Sequence, residues 1–386
     1  MDLAKNAVLL VLISPLMSKP MRMTTLRYVT LAFLTAGLCS CLSTTTKPDT
    51  LLPATEEMSL ESRPPPEQKP KRNFHRMVET FIPITNEQGQ GQLKAEVYRP
   101  YKKVEPKTVI IMVPGSGNVS RRGELTGDGV DSYPAPIETN TLWAKNFADR
   151  GIFVLTYDKR TCSSKVNPLC ETNDQKDIDQ TGIAALAKDL DQVYLFAQKN
   201  LDADNVRILL MSTTQGAQTI ALADCLNKVS GVILLSPVIG DLDAMWTNGL
   251  NKASMRAKSE WDKNQLLNRK ESMSSFFASM KKGDFPETAN VKGATAKFWM
   301  TWIEASSRTL DVLERAGRPT LLMFSNKDVF APDSARFHEK IKKNSRIKVQ
   351  FTPYGDRNFI EAGSVPDAAI SEVMNFIQGL PPALSP

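Results

Sequence analysis

Two hydrophobic rhythms alternate along the chain. Continuous apolar runs of strand length recur at TVIIMVP (108–114), GIFVLTYD (151–158), VRILLMS (206–212), GVILLSP (231–237) and PTLLMFS (319–325), and RIKVQFTP (346–353) follows as a further strand. Short runs with no polar alternation predict strands buried on both faces, as in a parallel sheet. Between them lie TLWAKNFADR, IAALAKDLDQVYLFAQKN, QTIALADCLNK, DSARFHEKIKK and DAAISEVMNFIQGL, whose apolar residues fall three and four apart. That spacing places one apolar stripe along a helix. Ahead of the alternation, MVETFIPI and LKAEVYRP flank the Gln/Gly-rich stretch NEQGQGQ and predict a hairpin. Two opening strands and six mostly parallel ones predict an eight-stranded α/β sheet with helices on both faces. No internal repeat interrupts this plan.

One segment breaks the rhythm. Residues 240–315, after the sixth strand, carry helical spacing and no strand signal, and they hold Trp246, Trp261, Trp299 and Trp302. They predict a helical lid. Two readings of the tryptophans stay open: packing of the lid onto the core, or an apolar wall over a pocket.

The first residues follow a different logic. Arg22 and Arg27 precede an apolar run from Tyr28 to Leu38 that is of signal-peptide length and short for a membrane span. It ends in Leu38-Cys39-Ser40-Cys41, which resembles the bacterial lipobox and implies a lipidated Cys41 as the mature N-terminus. Residues 1–20, with a second apolar patch, read as an upstream extension, with Met21 or Met23 as the alternative start. Residues 42–72 are polar and proline-rich and predict a disordered tether. The folded domain is expected over 73–386. Several acyl chains on Cys41 give a stable membrane anchor, and Leu42 after it is compatible with the periplasmic side of the outer membrane. In that oxidising compartment Cys162 and Cys170 are candidates for a disulfide that stabilises by roughly 2–3 kcal/mol. Cys225 reads as a buried free thiol within a helix.

Composition narrows the functions. With 41% hydrophobic and 23% charged residues over 386 positions the chain is globular. Its net charge of +6 is spread out, without a basic run interleaved with aromatics, so nucleic acid is not an expected partner. Only two histidines are present, and no Cys/His spacing of the zinc type occurs. Gly115-Ser116-Gly117 lacks the further glycines of a dinucleotide fingerprint. Neither a metal nor a cofactor is expected.

The stretch RILLMSTTQGAQTIALA (207–223) is a buried strand, a tight polar corner and a small-residue helix start. Together with VPGSGNVSRRGE, FADRGIFVLTYDKRTCSS, PTLLMFSNKDVFAP and TPYGDRNFIEA, taken in this order, it resembles the α/β-hydrolase superfamily, in particular its bacterial esterase and serine-aminopeptidase-like branch. The resemblance covers residues 74–380 and implies the α/β-hydrolase fold. It also implies that Thr214 stands at the nucleophile position, Asp328 at the acid and Arg357 at the base, with Gly115, Ser116 and Gln215 supplying oxyanion-hole N–H groups.

Two of those three triad positions depart from the family pattern. Arginine stays protonated at any cellular pH and cannot take a proton. Threonine nucleophiles rely on a nearby amine, and the lipidated N-terminus is remote. Ser212 replaces the first glycine of the corner. His75, His338 and Asp356 are the remaining candidate bases, each more simply explained elsewhere. Asp328 facing Arg357 predicts an ion pair in place of Asp–His. The leading expectation is a non-catalytic or very weakly active hydrolase fold on a lipid tether, whose pocket takes a small anionic or acyl ligand. The alternative is an acyl hydrolase that uses Thr214.

Overall fold

The computed structural model describes residues 75–86, 89–101, 107–125, 136–162, 170, 181–201, 206–341 and 344–382. The leader, Cys41 and the tether lie outside them. The main sheet takes its strands from β1 (Arg76–Asn86), β2 (Gly89–Arg99), β3 (Thr108–Val113), β4 (Phe153–Tyr157), β5 (Arg207–Thr213), β6 (Gly231–Leu235), β7 (Thr320–Ser325) and β8 (Ile347–Thr352). Their order is β1-β2-β4-β3-β5-β6-β7-β8. β1 and β2 form the expected hairpin, with Arg76 opposite Arg99, and β2 runs antiparallel to β4. From β4 through β8 every neighbour pair is parallel.

This is the α/β-hydrolase fold. β3, β4, β6 and β7 are buried at every position, which is why their sequences carry no polar alternation. The pleat sends Val109 and Ile111 to one face and Ile110 and Met112 to the other. On the first face they meet α2 (Ile183–Asn200) and α3 (Gly216–Leu222) through Leu190, Val193, Ala217 and Ile220. On the second they meet α1 (Thr139–Ala148) and α8 (Asp367–Gln378) through Trp143, Phe147, Ile370 and Val373. α7 (Ser334–Ile341) covers the β7–β8 end with Phe337.

Between β6 and β7 stand α4 (Leu242–Arg256), α5 (Glu260–Lys282) and α6 (Ala296–Ala316). Ser259 caps α5 by accepting from the Asp262 N–H, and Thr295 caps α6 by accepting from Phe298. Gly283 and Gly317 end these helices at φ 74° and 61°, where a side chain would be strained. A small ribbon, Asn290–Val291 with Ala294–Thr295, interrupts the all-helical segment that the sequence predicts. Two residues per strand are too few to establish a period.

A second departure concerns QTIALADCLNK. α3 ends at Leu222, and Asp224–Asn227 form a separate 3-10 turn, because the Asp191 carboxylate accepts from the N–H groups of Asp224 and Cys225. Cys225 is a buried free thiol in that turn rather than in a helix. Cys162 and Cys170 are joined as a disulfide, with Cα atoms 5.4 Å apart.

Candidate functional site

β5 runs straight into a corner at Thr214, whose φ is +47°. A β-branched residue in the left-handed region is a genuine outlier, and such strain persists only where the surroundings fix it. Here the Thr214 N–H donates to the Leu235 carbonyl at 3.1 Å, and its own carbonyl accepts from Val238 at 3.3 Å. α3 starts two residues later. An added Cβ on Gly216 would fall 2.7 Å from the Ser212 Cβ and 2.9 Å from the Pro114 carbonyl oxygen. The corner therefore keeps its second glycine, while Ser212 is accommodated at the first with its hydroxyl buried and unpartnered.

The loop after β3 lies against this corner. A Cβ on Gly115 would meet Thr213 Oγ1 at 2.4 Å and Thr214 Oγ1 at 3.0 Å, so only glycine permits the approach. Ser116 then donates twice to Thr214 Oγ1, from its N–H at 3.0 Å and from its hydroxyl at 2.9 Å. The N–H that an oxyanion hole aims at developing charge is spent on the hydroxyl itself. Among the described residues no group accepts the Thr214 proton.

A buried ion network anchors that loop. Arg121 donates from its backbone N–H to Asp158 Oδ1 at 2.7 Å, and its guanidinium reaches Glu96 at 3.0 Å and Asp158 at 3.2 Å. Arg122 and the Tyr98 hydroxyl also donate to Glu96, at 2.9 and 2.6 Å. Burial pushes the Glu96 carboxyl up, but the bonds from Tyr98 and Arg122 and the two arginine charges outweigh it and hold it below the usual range. For Asp158 burial wins, and its carboxyl is raised. These residues come from β2, the β3 loop and the end of β4, so they fasten three elements at once.

Lys159 follows, and the sequence reading passed over it. Its Nζ donates to the carbonyls of Gly115 at 2.9 Å and Gly117 at 3.1 Å and to Gln215 Oε1 at 2.6 Å. Burial pushes the ammonium down to about 7. The available signal was Asp158-Lys159-Arg160, three consecutive charges at the end of a wholly apolar strand. All three are buried, and Arg160 is paired with Asp189 on α2.

The acid and base positions are built differently. Asp328 is buried, and its Oδ1 accepts from the Phe330 N–H at 2.8 Å. Arg357 lies over the Phe330 ring at 4.7 Å, and that ring meets Trp246 edge-on at 5.1 Å. The expected Asp328–Arg357 ion pair is not formed: Phe330 satisfies both partners, one through its backbone and the other through its π face. Asp356 caps its own loop by accepting from the N–H groups of Asn358 and Ile360 at 2.7 and 3.0 Å. His75 pairs with Asp149 at 3.2 Å and His338 sits beside Phe351, both away from the corner.

These parts line a cavity of about 240 Å³ that includes Gly115, Ser116, Thr214, Asn358 and Arg357. Val119, Val238, Met245, Trp246 and Trp302 form its apolar wall. The tryptophans thus divide between the two readings left open. Trp246 and Trp302 face the cavity, Trp299 packs within the lid with its Nε1–H on the Val291 carbonyl, and Trp261 is exposed. Buried Gln218, on α3, holds the wall in place: its Oε1 accepts from Trp302 at 3.2 Å and its amide donates to the Val238 carbonyl and to Thr309. Chemically the cavity offers hydroxyl donors, a guanidinium and apolar surface, and among the described residues that line it there is no histidine or carboxylate.

No protein-family model and no curated protein sequence matches the chain. Solved structures similar to it include a thermophilic esterase from Thermogutta terrifontis, at 14% identity over 78% of this chain and 98% of that one, TM-score 0.47. An esterase from Pyrococcus furiosus is similar at 14% identity, 78% and 91% coverage and a TM-score of 0.48. A peroxisomal alpha-beta-hydrolase from Saccharomyces cerevisiae is similar at 15% identity, 82% and 93% coverage and a TM-score of 0.44.

Proposed function

We propose that the chain is a cell-envelope lipoprotein whose hydrolase-type pocket binds a small anion with a short apolar tail and does not turn it over. One observation carries this reading. The hydroxyl at the nucleophile position receives two hydrogen bonds from Ser116, and the base position holds a permanently charged arginine stacked on Phe330. General-base assistance is worth about 10²–10⁴-fold in rate, and its removal disables acyl transfer. The Thr214 hydroxyl proton, which no described group accepts, and the guanidinium suit a carboxylate. The cavity is smaller than the roughly 300–1,000 Å³ of drug-sized sites, which favours a short ligand. Lipidation of Cys41, supported by the Leu38–Cys41 motif, anchors the domain on the periplasmic side of the outer membrane.

Hydrolysis of short and long acyl esters by the purified protein tests the catalytic half. Wild type and Thr214→Ala are expected to be equally silent, with activity gained in the Thr214→Ser/Arg357→His double variant. Turnover in wild type that disappears in Thr214→Ala overturns the reading and makes Thr214 a nucleophile. Incorporation of an alkyne-tagged fatty acid, lost in Cys41→Ser, tests the anchor.

A further inference from the structure

We infer that Lys159 is a hidden cation of the pocket, a positioning residue that acts on a bound anion through the Gly115–Ser116 peptide and couples anion affinity to pH. The inference rests on the ligand reading above and gives that site a control element.

Geometry carries it. The Gly115 carbonyl that Lys159 holds at 2.9 Å belongs to the same peptide group as the Ser116 N–H, the donor aimed at Thr214 Oγ1. A charged donor on the oxygen polarises the peptide and strengthens the N–H at its other end, and the bond from that N–H to Thr214 Oγ1 passes the effect to the hydroxyl proton offered to the anion. The second bond, to Gly117, fixes the turn of the same loop. The side chain of Lys159 never enters the cavity; its charge arrives through the backbone.

Gln215 supplies the other half of the device. Its Oε1 accepts from the ammonium while its Nε2 is buried without a partner, a costly arrangement. A neutral amine keeps two N–H groups for the two carbonyls and gains a lone pair. A half-turn of the Gln215 amide then places Nε2–H on that lone pair and relieves the orphan. The loop thus has two hydrogen-bonded states that differ by one proton and one amide flip, and only the charged state polarises Ser116.

Among the described residues around Lys159, the neighbouring charged groups are engaged elsewhere. On its own strand end Asp158 is paired with Arg121, and Arg160 with Asp189 of α2. Tyr157 next to them is held far above its ordinary value by burial first, then by the charge of Asp189. α6 presents the Phe298 ring, 5.4 Å from Nζ, and the corner presents Gln215. Arg357 across the cavity is always charged. Burial alone lowers the lysine to about 7.

The test is calorimetric titration of butyrate, ionised throughout, into the purified full-length chain from pH 6 to pH 9, in two buffers of different ionisation enthalpy. Losing the polarising charge at an effective dielectric near 20 is expected to weaken binding by about tenfold as pH rises. Binding above neutrality is expected to take up protons. Lys159→Arg should bind with a flat profile and no proton uptake, and Lys159→Met should bind weakly at every pH. Equal affinity across the range without proton uptake overturns the inference. So does wild-type binding by Lys159→Met. Absence of butyrate binding at pH 6 counts instead against the ligand reading, and a second measurement then stands alone. In the unliganded chain the Ser116 amide ¹⁵N shift is expected to follow the lysine titration and to stay flat in Lys159→Arg. A flat wild-type shift overturns the role of Lys159 whatever the pocket binds.

Discussion

The two halves of the pocket match the pattern expected from the sequence to different extents. On the corner side Gly115, Gly216 and the left-handed turn at Thr214 are all in place, and the Arg121 network fastens the donor loop. On the acid–base side Asp328 remains, but the groups around it make a stacked arginine and a self-capped loop. The difference teaches what each half is for. Close backbone approach at the corner is required for the sheet, α3 and the β3 loop to pack at all. A histidine above the sheet is required only by proton transfer. On the proposed reading proton transfer is dispensable, so the second can be replaced where the first cannot.

Stability measurements can break or sharpen that contrast. The largest effect is expected from Arg121→Met, which strands Glu96 and Asp158 in the interior and should cost about 3–5 kcal/mol in urea unfolding. Next is a pH effect. Lys159 holds about 7 when folded against 10.5 unfolded, so the unfolded chain binds more protons between those values. Stability should therefore rise with pH across that window, by roughly 2 kcal/mol after allowance for solvent relaxation, and the rise should be absent in Lys159→Arg. Gly115→Ala should cost about 1–3 kcal/mol, since its methyl meets Thr213 Oγ1 and backbone. Arg357→Ala, from the other half, removes one partly exposed cation–π contact and should cost below about 1 kcal/mol. A loss as large as that of Arg121→Met would show that the acid–base side is also structural. The smallest change is expected from Thr214→Ser, which keeps the hydroxyl and eases the β-branched strain, a gain of about 0.5 kcal/mol.

Much of the fold was legible because its signals are local. A buried strand must be apolar along its length, and a helix on a sheet must carry one stripe, so β3 to β7 and α2 announce themselves in sequence. β8 alternates and is only partly buried. The Asn290–Val291 ribbon was too short to do so, and the break after Leu222 depends on a carboxylate thirty-odd positions earlier. The site was legible in part. The corner at Thr214 follows from the strand–corner–helix pattern, whereas Gly115 and Ser116 entered only through the resemblance carried by VPGSGNVSRRGE.

Sequence alone determined the residues available for chemistry: two histidines, both outside the motifs, Arg357, and a threonine at the corner. No packing changes those identities. Only the tertiary structure decided how they are used. It sends the Ser116 donors to Thr214, gives Arg357 to Phe330 rather than Asp328, and seats Lys159 beneath the donor loop. Each of those choices is a contest between partners distant along the chain, settled by which one lies within about 3–5 Å once the sheet has formed.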